Sequence, residues 1–301
     1  MVSTPRQRPA PGPLGNRWVL GSRPRTLPAS GVPVIVGTAA ASAAGHVIWW
    51  RAAAALIVAL AIQVATNYAN DYSDGIRGTD DTRVGPVRLV ASGMASAGAV
   101  KRAAIGAFAV AGVAGVALAA AAGWWLLAVG AACFAAGWFY TGGPRPYGYA
   151  GLGEVFVFVF FGLVATVGSA YVSLERVTAL AVVVAVPVGL LSVALLVVNN
   201  LRDVAGDEMS GKRTLAVRLG APTTRLFYVA CLAGAYVFVV VAALVGGSAW
   251  ILLPVLSLPV AVAPARRVLA GAAGRDLIEV LGATGRLVLV LGALLAAGLA
   301  V

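Results

Sequence analysis

Apolar runs close to the length of a membrane span recur along this chain, and its polar residues gather between them. Nine such runs fall at about 27–45, 52–70, 98–121, 124–142, 153–173, 177–201, 225–246, 249–264 and 277–300, against the ~20 residues that cross a hydrocarbon core. The eighth is short and carries Pro254, Pro259 and Pro264. The pattern predicts an all-α, polytopic membrane protein of about nine transmembrane helices, with one domain over 17–301. The preceding stretch, 1–16, is rich in Pro, Arg and Gly and predicts a disordered tail. Residues 1–25 lack an apolar core flanked by a small-residue cleavage site, so they do not form a secretory signal peptide.

Two places break the pattern. The run AAAALIVALAIQVAT leads directly into NYANDYSDGIRGTDDT at 67–82, and the sixth run leads into NNLRDVAGDEMSGKR at 199–213. Asn67, Asn70, Asp71 and Asp74 are spaced i, i+3, i+4, i+7, with Gln63 one turn earlier, so a continuing helix puts all of them on one face. Asn200, Asp203 and Asp207 repeat i, i+3, i+7, and Asn199 lies four before Asp203. Carboxylates this close repel one another and are costly at membrane depth unless something cationic lies between them. Asp and Asn oxygens with no His or Cys nearby suit Mg²⁺ or Mn²⁺ rather than Zn²⁺. Magnesium usually takes one or two carboxylates and completes its shell with phosphate oxygens and water. Two facing stripes therefore fit two ions bridged by a diphosphate.

Composition sharpens this reading. The chain is 60% hydrophobic and 11% charged, with mean hydropathy +0.93, where soluble domains are roughly 45–50% apolar. The net charge of +11 does not point to nucleic acid, because of where the bases lie. With the amino terminus inside, Arg51 and Arg176 alone among 22 Lys and Arg fall on the far side, which fixes the orientation. Of the acids, Glu175 alone is opposite. Cys133 and Cys231 lie in separate runs without metal-ligand spacing, so both predict packing residues. His46, the single histidine, ends the first run and receives no chemical role.

Bases accompany the stripes. Arg77, Arg83 and Arg88 follow the first, Lys212, Arg213 and Arg218 follow the second, and Arg23 and Arg25 precede the first run. Cations beside acids at one site point to an anionic ligand that metal only partly neutralises. The plainer alternative makes the acids helix caps and the arginines headgroup anchors; two matched stripes with interleaved bases weigh against it. A third polar patch, YTGGPRPYGYAGLGE, carries Tyr140, Tyr147, Tyr149, Arg145 and Glu154. Its aromatic faces suit a carbocation, at roughly 0.5–2 kcal/mol each. They equally suit an interfacial aromatic belt.

These stretches resemble the UbiA superfamily of intramembrane aromatic prenyltransferases, and within it the branch that prenylates 1,4-dihydroxy-2-naphthoate in menaquinone synthesis. NDYSDGIRGTD, RVGPVR, YTGGPRPYGYAGLGE and NNLRDVAGDEMSGKRTLAVRLG carry the likeness, with SRPRTLPAS adding a weaker match. The resemblance implies a helical bundle around a lipid-open cavity in the bacterial cytoplasmic membrane. It implies that Asn70, Asp71, Asp74, Asp203 and Asp207 hold two Mg²⁺ on a polyprenyl diphosphate, which Arg23, Lys212 and Arg145 contact. Stripe geometry adds Asn67, Asn199 and Asn200 to the binding set, and proximity adds Arg77 and the three tyrosines. Glu154 is the candidate proton acceptor. One departure from the superfamily's Asn-x-x-x-Asp-x-x-x-Asp pattern is Gly78 at the last position, with Asp80 two residues later as in the naphthoate branch; Asp80, Asp81 and Glu208 are not counted among the expected ligands.

The implied reaction is loss of diphosphate, attack of the electron-rich naphthoate ring on the allylic cation, and loss of carbon dioxide. Sibling reactions use 4-hydroxybenzoate, a chlorophyllide or phosphoribosyl diphosphate as acceptor. A cation transporter is the rival from another class. Acids at helix ends on one side, rather than at the midplane where transporters bind ions, count against it.

Overall fold

A computed structural model describes residues 14–78 and 87–301. Most of the predicted tail and the stretch with Asp80, Asp81 and Arg83 lie outside the described residues. Within them the chain is helical, with no strand. The helices are α1 (Leu14–Ser22), α2 (Pro28–Ala43), α3 (Trp49–Arg77), α4 (Ala97–Ala122), α5 (Leu126–Phe139), α6 (Gly153–Val157), α7 (Ala165–Leu174), α8 (Ala179–Met209), α9 (Leu215–Gly246), α10 (Leu258–Leu269) and α11 (Asp276–Ala300). A π-helical segment, Phe158–Val164, joins α6 to α7, and a 3₁₀ segment, Ala249–Ser257, leads into α10.

Local signals set the boundaries. Ser96, Thr178 and Thr214 cap α4, α8 and α9, each accepting from the backbone N–H three residues on, which satisfies a donor the first turn leaves open. Gly78 ends α3 in the left-handed conformation at φ 71°, where a side chain would be strained. Gly220, at φ 74°, breaks α9 two residues before Pro222.

Among the described residues, seven helices or joined helices are long and apolar enough to cross a membrane, and the α1–α2 pair, bent by 52°, makes an eighth at most. Every predicted run has its helix, but the expected nine full spans are not all there. The fourth run is realised as α5, whose 14 residues extend about 21 Å, short of the ~30 Å hydrocarbon core.

The long helices divide by burial. In α8, 67% of the most apolar window is buried, against 22% in α4; α8 is the central post, and α4 turns Ile105, Val110 and Val113 outward. Lipid offers little hydrophobic drive for helix association, so small residues do the close packing. A Cβ at Gly162 would meet the Gly189 backbone of α8 at 2.6 Å. α3 lies along α4, and α11 packs on α2 and α8. This arrangement encloses one large cavity of ≈1730 Å³.

Candidate functional site

α3 runs past its apolar stretch to Arg77 and α8 runs on to Met209, so both stripes are helical, as the spacing predicts. Of the expected site residues, Arg23, Asn67, Asn70, Asp74, Tyr140, Tyr147, Tyr149, Asn199, Asn200, Asp203, Asp207 and Lys212 line the cavity. Asp74 is where the three polar stretches meet. Its Oδ1 accepts from the Tyr149 hydroxyl at 2.5 Å and lies 3.3 Å from Lys212 Nζ; its Oδ2 is 3.9 Å from Arg88. Lys212 also sits 4.7 Å over the Tyr149 ring, and its backbone N–H donates to the Asp207 carbonyl at 2.8 Å. Asn70 accepts from the Thr141 hydroxyl at 2.8 Å.

Four expected residues take other places. Asp71 does not line the cavity. Its buried carboxylate accepts from the backbone N–H groups of Leu89 at 2.8 Å and Val90 at 3.0 Å. The reason is angular: Asp71 lies about 100° round the helix from Asn70, at the edge of the arc that Gln63, Asn67, Asn70 and Asp74 share. Arg77 donates instead to the carbonyls of Thr141 and Gly143, tying the end of α3 to the loop after α5. Arg145 is exposed beside Pro144 and is absent from the cavity wall. Glu154 is buried behind that wall, where Oε1 accepts from Asn200 Nδ2 at 2.9 Å. Its Oε2 has no hydrogen-bond partner among the described residues. The residue instead borders a separate ≈220 Å³ space with Phe158 and Phe227.

Asn67 lines the cavity and also serves as a strut. Its Nδ2 donates to the Ser22 carbonyl at 2.8 Å and to Thr26 Oγ1 at 3.1 Å, while Gln63 bonds Ser30, Thr26 and Asn67. Together they hold the bend between α1 and α2, where Arg23 has φ 52° and donates to the Asn67 carbonyl at 3.3 Å.

The tyrosines divide by role. Tyr147 stacks on Phe156 with centroids 3.9 Å apart and meets Tyr140 edge-on at 5.5 Å. Burial pushes the Tyr147 phenol up, so it stays protonated at neutral pH and donates to the Ala136 carbonyl at 2.7 Å. Tyr149 faces the cations.

Two basic residues at this wall escaped the sequence reading. Arg202 binds both Asp203 oxygens at 2.8 Å and reaches Asn199 Oδ1 at 2.7 Å; its position beside Asp203 in NNLRD was the available signal. Arg286, grouped above with the cytoplasmic bases, lies inside α11 and lines the cavity.

The UbiA prenyltransferase family model matches residues 30–277. This chain belongs to the UbiA prenyltransferase family. Among UbiA relatives, it is 49% identical over 284 residues to 1,4-dihydroxy-2-naphthoate octaprenyltransferase of Mycobacterium tuberculosis, covering 94% of this chain and 97% of the relative. Solved structures share the fold. A UbiA homologue from Aeropyrum pernix superposes with TM-score 0.71 at 15% identity, over 89% of this chain and 96% of that one. One from Archaeoglobus fulgidus, bound to DMAPP and Mg²⁺, gives 0.62 at 14% identity, over 92% and 98%.

Proposed function

We propose that this UbiA chain transfers a polyprenyl group from its diphosphate to 1,4-dihydroxy-2-naphthoate with loss of carbon dioxide, giving demethylmenaquinol. The observation that carries this reading is the convergence of both acid stripes on one end of a single cavity. Arg23, Arg88, Arg202 and Lys212 stand beside them, while much of the remaining wall is apolar or aromatic. The M. tuberculosis relative's name supports the naphthoate acceptor. The distribution of Lys and Arg supports a bacterial cytoplasmic membrane protein with its amino terminus and acid stripes facing the cytoplasm.

The donor set fits magnesium. Among the described residues no three His, Cys, Asp or Glu form a self-sufficient metal cage, which suits an ion that shares its shell with phosphate oxygens. Asn70, Asp74, Asp203 and Asp207 would hold it, as a two-ion site beside the diphosphate; Mn²⁺ has the same oxygen preference. Magnesium held there supplies positive charge that stabilises diphosphate as a leaving group. Asp71 supports the site from behind by fixing the backbone before Ser92.

The chain's own residues do the rest. Arg23, Arg88 and Lys212 offer donors to the diphosphate, pre-oriented by their contacts with Asn67 and Asp74. Tyr140, Tyr147 and Phe156 present ring faces to the allylic cation. The apolar walls keep water from it, so the ring carbon of the naphthol is the nucleophile within reach.

The test uses purified protein in detergent with Mg²⁺, a prenyl diphosphate and carboxyl-labelled naphthoate. Wild type is expected to release labelled carbon dioxide and form prenylated product, and Asp203→Asn to do neither. Product from 4-hydroxybenzoate alone would overturn the acceptor and keep the clamp. Cation flux through liposomes without any product would return the stripes to a transporter.

A further inference from the structure

Besides Arg23, Arg88 and Lys212, the cavity wall carries Arg25 and Arg286. Arg286 is the eleventh residue of α11, roughly 10 Å deeper than Glu279 along the helix axis. It is exposed and lines the cavity. Among the described residues it makes no hydrogen bond or ion pair. The acid two turns earlier, Glu279, is already paired with Arg267 at 2.6 Å, so α11 offers Arg286 no counter-ion. The Arg25 backbone passes close by: its carbonyl lies 3.9 Å from where a Cβ on Gly285 would be. Arg25 also lines the cavity without an ion pair among the described residues. An arginine inside a membrane-spanning helix is costly and points to a functional role facing the bundle interior.

The space beside it suits a flat ring. Gly282 lies one turn before Arg286 on the same wall, and nothing stands within 4 Å of where its Cβ would be. Leu281 and Leu289 flank it. A guanidinium presents a planar fork that matches a carboxylate. We propose that Arg286, with Arg25, is the subsite that receives the carboxylate of the aromatic acceptor, and that Gly282 leaves room for its ring. The assignment rests on the prenyl-transfer reading above. It gives the acceptor's charge a partner other than Arg23, Arg88 and Lys212.

The test measures KM for naphthoate and for prenyl diphosphate separately, with 1,4-dihydroxy-2-naphthamide as an uncharged competitor. Arg286→Gln is expected to raise the naphthoate KM about tenfold or more, the loss of one charge-assisted contact, and to leave the prenyl diphosphate KM within about twofold. Wild type prefers the acid over the amide, the glutamine variant loses that preference, and Arg286→Lys restores part of it. Gly282→Leu, whose side chain has room in the folded chain, is expected to weaken naphthoate and amide equally. Arg25→Gln gives a second reading of the charge should Arg286→Gln not fold. A rise in prenyl diphosphate KM instead would overturn the proposal and make Arg286 a diphosphate ligand. Unchanged constants would overturn it and make Arg286 a lipid anchor. Failure of wild type itself to use naphthoate would sink the prenyl-transfer reading along with this one.

Discussion

Asp71 and Asp74 are three residues apart in one motif, yet they answer to different physics. Both Asp71 oxygens accept from backbone N–H groups; an amide in its place keeps one acceptor and turns the other toward a backbone N–H as a donor. Asp71→Asn is therefore expected to cost about 1–3 kcal/mol, read as a lower Tm, with activity falling alongside the folded fraction. Asp74→Asn changes a carboxylate that lines the cavity. It is expected to lower kcat about a hundredfold or more, as removal of one electrostatic partner does, well beyond what the accompanying fall in Tm explains, since Lys212 and Arg88 also lose a buried counter-charge. Full Tm and lost turnover in Asp71→Asn would contradict this division. Residue types and spacing were legible in the sequence, and so were the stripes themselves. Which edge of the arc faced the cavity was not, because it depends on where residues 87–90 return against α3. Arg145 and Glu154 show the same limit: proximity in a tyrosine-rich loop does not say which side chains turn outward or behind.

Elements were more legible than their lengths. Each predicted run became a helix because a long apolar segment in lipid must bond its own backbone. The sequence did not reveal that the fourth would stop at 14 residues, nor that the fifth would contain a seven-residue π-helical segment. That segment's place follows from packing: Gly162 sits on Gly189 of α8, with Phe158 close to the same glycine, and Phe160, Phe161 and Val164 reach the cavity wall. Such bulges recur at functional sites. Gly162→Ala sets a methyl 2.6 Å from backbone, and backbone has little room to give. The expected outcome is a loss of about 1–3 kcal/mol, seen as lower Tm and yield in detergent. Unchanged Tm would mean that α8 and the π-helical segment slide apart freely.

At the scale of the molecule, polar chemistry and apolar volume are separated along one cavity, as a reaction joining a charged leaving group to a lipid chain requires. The sequence showed the separation as acids confined to one side; it could not show that both stripes open onto one space, since that needs the ends of α3 and α8 to face the same cavity. The orientation has its own check. Ser210, in the exposed turn after α8, is expected to react as a cysteine with an impermeant maleimide from the cytoplasmic face of oriented vesicles and from no other; labelling from the far face would invert the topology.

The central claim is that the two stripes act jointly on metal and diphosphate, and binding tests it without turnover. Calorimetry would follow a non-reactive prenyl thiodiphosphate binding to wild type, Asp74→Asn and Asp203→Asn, with Mg²⁺ and with EDTA. The account predicts binding to wild type that needs Mg²⁺ and is lost in either variant, one from each stripe. Equal binding in EDTA, or in both variants, would contradict it.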